Sequence, residues 1–153
     1  MVDTTVVGTF DELVKYLGAR RHTEYDPDEQ TVLIATSHSE LAGGKVLVKW
    51  DNDYPMVHIT QPMICDVPGE HADNVARAIC RLGYASSQGE LRYDEAARTI
   101  FFRWSLAREK EGIHADQVLD LALGVAQAAQ GLLPAMKAVA GGASVEESID
   151  HGP

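Results

Sequence analysis

The stretch TIFFRWSLAR, residues 99–108, decides the fold class. Ile100, Phe102, Trp104 and Leu106 alternate with Phe101, Arg103 and Ser105. Successive side chains of a strand point to opposite faces, so this period of two predicts a β-strand with one aromatic face and one mixed face. The aromatic residues at its even positions mark that face as the buried one and the segment as the central strand of a sheet. Trp104 is therefore expected in the core and Arg103 at the surface. A turn at 94–97 and a shorter strand at 90–93 precede it and complete a hairpin.

Three more strands are predicted upstream. Residues 31–37 are apolar and β-branched, and residues 45–50 alternate Val46, Val48 and Trp50 against Leu47 and Lys49. Residues 56–61 form the third, with Pro62 expected at or beyond its end because proline cannot donate to a ladder. Gly43-Gly44 and Asp51-Asn52-Asp53-Tyr54-Pro55 supply the turns between them. Residues 21–25 extend the first hairpin. Strands joined by short turns make hairpins, hence an antiparallel sheet.

Helices are read from the 3.6-residue period. Thr9 and Glu12 fit a capping box ahead of Phe10, Leu13, Val14 and Leu17, with Gly18 as the stop. Pro68 opens a second helix with Ala72, Val75, Ala76, Ile79 and Leu82 on one stripe and Asp73 and Arg77 on the wet side. The last helix runs from Asp116 to Ala140. Its apolar residues, among them Val118, Ala122, Val125, Ala129, Leu132, Met136 and Val139, span about 240°, where a one-sided surface helix needs only about 100°. Such a helix is either gripped by sheet and neighbouring helices or shared with a second subunit. Pro134 is expected to kink it or end its first half.

The resulting order is α-β-β-β-α-β-β-α, an α+β fold with an antiparallel sheet of about five strands and three helices. Residues 1–142 form one domain, and residues 143–153, rich in Gly, Ser and Glu, form a flexible tail.

With 153 residues, 45% hydrophobic and 24% charged, the composition is that of an ordinary globular domain. The net charge of −10 argues against nucleic acid and anionic membrane surfaces, and favours a basic or neutral partner. No run of about 18 apolar residues and no leader-like N-terminus is seen, so the expected location is cytoplasmic.

Motifs for chemistry are sparse. No two of the six histidines lie three or four residues apart, and there is no Cys-x-x-Cys, so no metal and no cofactor is expected. Asp51 and Asp53 mimic the start of a calcium loop, but Met56 and Pro62 stand where glycine and glutamate are needed; acidic turns that start hairpins are the simpler reading. Cys80 is expected at the edge of the core, and Asp66 beside Cys65 works against a reactive thiolate. Nucleophile-elbow and phosphate-loop motifs are absent.

Residues 67–142 resemble the YbjN-like family, a group named for bacterial sensory transduction regulation and similar in fold to type III secretion chaperones. The resemblance rests on Val67-Pro68, the segment 89–94, the strand 100–106, Gly112-Ile113 and Leu132-Leu133-Pro134-Ala135-Met136. Leu82-Gly83 departs from the Leu-Asn of many relatives. The resemblance implies a small dimeric protein-binding module without an established reaction.

The leading expectation is thus a non-enzymatic, chaperone-like interaction module, a homodimer that binds an unidentified protein or peptide partner through its sheet face or helix grooves. The residues expected to meet that partner are Leu47, Lys49, Phe101 and Arg103 on the sheet, with Leu119, Leu123 and Leu133 on the last helix. The alternatives are a small-ligand sensor with a pocket between sheet and last helix, and a small hydrolase using Cys65, Asp66 and His71.

Overall fold

The computed structural model describes residues 5–83, 89–144 and 146–147; most of the expected tail, including residues 148–153, lies outside them. Strand β1 (Val6–Val7) leads into helix α1 (Phe10–Gly18), followed by β2 (Thr23–Asp26), β3 (Thr31–Ala35), β4 (Lys45–Asp51) and β5 (Met56–Ile64). A 3-10 turn (Gly69–His71) opens α2 (Ala72–Gly83); β6 (Glu90–Asp94), β7 (Thr99–Ala107), β8 (Ile113–His114) and α3 (Ala115–Ala140) complete the described chain. The predicted α+β class and order are observed, with the low-signal segment after α1 forming β2 as a sixth sheet strand. Two further short strands, β1 and β8, pair with each other.

The six strands run β2-β3-β4-β5-β7-β6, every pair antiparallel. The centre of the sheet is therefore β4 and β5, and β7 lies one place from the edge rather than in the middle. Each of three hairpins begins with an aspartate that accepts backbone N–H bonds from its own turn: Asp26 from Asp28 and Glu29, Asp51 from Asp53 and Tyr54, Asp94 from Ala97. These side chains replace backbone turn bonds, which accounts for the acidic pairs in the sequence.

One sheet face carries the core. Val32 and Ile34, Val46, Val48 and Trp50, Val57 and Ile59, and Ile100 and Phe102 share a single core with Leu13 and Leu17 of α1, Val75 and Ala78 of α2, and most of α3. The Thr9 hydroxyl accepts the Glu12 N–H at 3.2 Å, as the capping box requires. On α2 the buried stripe is Val75, Ala78 and Leu82; Ala76 and Cys80 are exposed, so the helix is rotated from the expected stripe and the thiol is not at the core.

The wide apolar arc of α3 is absorbed within the chain. The helix packs on β4, β5 and β7 and is flanked by α1 and α2. It is long and apolar enough to cross a membrane by composition, but twelve of its residues lie in this core. Asp120, Gln127 and Gly131 face outwards, as the narrow polar stripe predicts. Pro134 also lies on the exposed side, and the helix continues past it to Ala140, so the proline does not end the helix. On that side the carbonyl left without its N–H partner is open to water, which lowers the cost of an interior proline.

Pro62 departs from expectation too. It sits inside β5, opposite Phe101, where the ladder shifts register between Pro62 and Ile64. A bulge is one of the few places a strand accepts a residue without an N–H. Gln61, fully buried beside it, donates its amide to the carbonyls of Lys45 and Pro62 at 3.0 Å each, which satisfies acceptors that the irregular ladder leaves over.

Trp104 is only half-buried. It shares the face of Ile100 and Phe102, but among the described residues β6 pairs with β7 no further than Arg103, so the tryptophan lies past that pairing. The strand keeps the predicted parity, and Trp104 falls short of the predicted burial.

Candidate functional site

The helices share their core with one face of the sheet, and the other face remains open among the described residues. Cross-strand register assembles it in rows, because directly paired residues point the same way. Leu33, Leu47, Thr60, Arg103 and Glu90 form one row across β3, β4, β5, β7 and β6. Thr31, Lys49, His58 and Ser105 form a second, and Pro62, Phe101 and Arg92 lie in a third. Leu33, Leu47, Thr60, Pro62 and Phe101 are half-buried by neighbours on the same face rather than by a covering layer. The structure thus brings Leu47, Lys49, Phe101 and Arg103 together on one surface.

The α3 residues divide. Leu119 and Leu123 are half-buried on one flank of the helix. Leu133 is 1% exposed and belongs to the core, so the isolated chain does not present it to a partner. The 100° step carries Leu133 to the side facing the sheet, while Leu123 falls next to the polar stripe.

On the open face, next to the turn between β4 and β5, lies a polar cluster that the sequence reading missed. His58 Nε2 is 2.9 Å from Asp51 Oδ2, and His58 Nδ1 is 2.7 Å from Ser105 Oγ and 2.8 Å from Arg103 Nη2. A guanidinium only donates, so Nδ1 is the acceptor and the proton of the neutral ring resides on Nε2, directed at Asp51. His58 and Asp51 are about equally buried, their side chains 17% and 18% exposed. The hydrogen bond from His58, followed by those from the Tyr54 and Asp53 backbones, holds the Asp51 carboxyl below the usual carboxylate range against the opposing effect of burial. Nearby, Arg108 stacks on the Trp50 ring, 4.3 Å from its centroid, and donates to the carbonyls of Asp51 and Tyr54. This fixes the turn that presents Asp51.

Asp51, His58 and Ser105 have the distances of an acid-base-nucleophile relay. The arrangement is a poor one for acyl transfer. Arg103 competes with the serine hydroxyl for the same ring lone pair, which leaves that lone pair less available to take the serine proton. The backbone donors around Ser105 sit in a flat sheet instead of forming an oxyanion hole.

The other anticipated thiol-histidine site does not assemble. His71 bonds the Ala140 carbonyl through Nδ1 at 2.7 Å, and its Nε2 lies 3.8 Å from Glu70. Both ring nitrogens are directed at groups other than Cys65, and His71 instead ties the start of α2 to the end of α3. A cavity of about 500 Å³ lies beside α2, lined by Asn74, Arg77, Cys80 and Arg81 together with Ser144 and Glu146. It is on the helix side and away from the sheet.

These features define a one-sided α+β sheet protein with a broad, mixed, uncovered sheet face. No family model and no curated protein matches the chain. Among solved structures it is similar to YbjN from E. coli, described as a candidate transcription regulator, at TM-score 0.66 and 11% identity, over 89% of this chain and 95% of that one. The chain therefore has the fold of YbjN. It is also similar to a chain of the HopA1-SchA chaperone-effector complex, at TM-score 0.49 and 14% identity, over 80% of this chain and 88% of that one. That likeness is below the level that establishes a shared fold.

Proposed function

We propose that the chain is a non-enzymatic protein-interaction module of the chaperone-like regulatory kind, which holds an extended partner segment against the open face of its sheet. The observation that carries this reading is the open face itself: Leu33, Leu47, Pro62 and Phe101 on adjacent strands, with no covering helix among the described residues. Apolar side chains in contiguous array on an uncovered sheet mark an interaction site rather than ordinary surface. The edges fit the same use poorly. Strand β2 carries Glu24 and Asp26, and β6 carries Glu90 and Asp94, the charges that discourage strand addition.

Dimerisation is the second part of the proposal, and Leu119 and Leu123 on the flank of α3 are the residues assigned to it. Sedimentation equilibrium at micromolar concentration is expected to give about twice the 16.6 kDa chain mass. Leu123→Asp is expected to return the chain to monomer, and Leu47→Asp to leave the dimer intact. A clean wild-type monomer removes the dimer from the proposal. A dimer lost with Leu47→Asp instead assigns the sheet face to self-association and overturns the partner-binding reading.

A further inference from the structure

The charges on the open face are unevenly satisfied. Lys45 pairs with Glu24 at 3.0 Å and Arg92 with Glu90 at 3.5 Å. Asp51 is saturated, with the N–H groups of Asp53 and Tyr54 on one oxygen and His58 on the other. Arg103 has no carboxylate within ion-pair distance among the described residues; its one polar contact is the His58 ring nitrogen. Lys49 likewise reaches only the Glu29 carbonyl, at 3.5 Å. Five guanidinium N–H donors are available and one is used. The His58 contact holds the guanidinium at the sheet surface between Thr60 and Glu90, whose carboxylate is turned to Arg92, with its remaining donors unspent.

We infer that the open face recognises a segment of another protein in which a single aspartate or glutamate is flanked by apolar residues, with Arg103 as the anchor for that carboxylate. This rests on the reading of the face as the partner surface and names the chemistry of the partner. A half-buried guanidinium held in place by one contact can still offer a carboxylate two parallel N–H bonds, which are stronger than neutral ones. The net charge of −10 opposes a polyanion, and a lone carboxylate in a near-neutral segment avoids that repulsion. A second copy of the same face is a poorer occupant, because Asp51, Glu24 and Glu90 each already hold a partner within the chain.

The test pans a phage-displayed library of random dodecapeptides against the full chain and then measures the selected peptides by fluorescence anisotropy. Selected sequences are expected to share one acidic residue between apolar ones. Replacing that residue by its amide is expected to weaken binding at least tenfold, as is Arg103→Leu. Arg103→Lys, which keeps the charge and loses the fork, is expected to give a smaller loss. Circular dichroism melts of each variant separate lost binding from lost folding. If peptides lose affinity with Leu47→Asp but not with either Arg103 variant, the face stands as the partner surface and the carboxylate anchor is overturned. If they bind Leu47→Asp as well as wild type, the partner-surface reading itself fails. Recovery of no binding sequence, or of sequences without acidic bias, also counts against the inference.

Discussion

Phe102→Ala is expected to destabilise the chain by about 3–5 kcal/mol in urea unfolding, the largest loss of any single truncation on β7. Phe102 is fully buried, between Gln61 on β5 and Leu91 on β6, and it faces the layer formed by α3. Removing the ring forfeits its transfer free energy and leaves a cavity that a sheet bonded on both sides cannot close. Trp104→Ala is expected to cost clearly less despite the larger side chain, because Trp104 is half-exposed past the described pairing with β6. Phe101→Ala, on the open face, is also expected to cost less than Phe102→Ala. A reversed order for Phe101 and Phe102 would place β7 one residue out of register and turn the proposed binding face inwards.

Leu133→Ala carries the second large effect, about 2–5 kcal/mol. The side chain is 1% exposed and sits among the core residues of α3 with Leu132 and Met136. Leu123→Ala, on the flank of the same helix, is expected to cost much less in the monomer because part of that side chain already meets water. Chemical denaturation of the two variants at low protein concentration gives the comparison. Equal losses would mean that the helix is rotated from the orientation described, and that Leu123 is a core residue unavailable to a second copy.

Much of the architecture was legible because it depends on local period. Alternation in residues 45–50 and 99–108, the Thr9–Glu12 cap and the turn aspartates fixed helices, strands and faces without tertiary knowledge. What failed depended on neighbours. Trp104 lies past the described pairing of β6 with β7, and the tolerance of Pro62 depends on a bulge opposite β7. The breadth of the α3 apolar arc could not say whether its second cover was another subunit or α1 and α2 of the same chain. For Leu133, a position counted as a flank lies on the core side of a helix that has little outer surface.

The candidate site was half legible. The face of Phe101, Arg103 and Ser105 follows from alternation, as does that of Leu47 and Lys49. His58 is one of six scattered histidines, and no local motif marks it. The missing step was the β4–β5 hairpin. Its tight turn after Asp51 brings Lys49 opposite His58, and alternation in β5 then puts His58 on the open face. The long-range pairing of β5 with β7, which delivers Ser105 and Arg103 to His58, leaves no mark in the sequence.

The central claim, that partners are held on the open sheet face, is tested most directly by site-specific photocrosslinking in cells that produce the protein. A benzophenone amino acid is placed at Leu47 on the open face or at Asp120 on the outer stripe of α3, and adducts are resolved by mass. The account predicts a discrete adduct with another protein from position 47 and none with that protein from position 120. An adduct from position 120 with none from position 47 would contradict it.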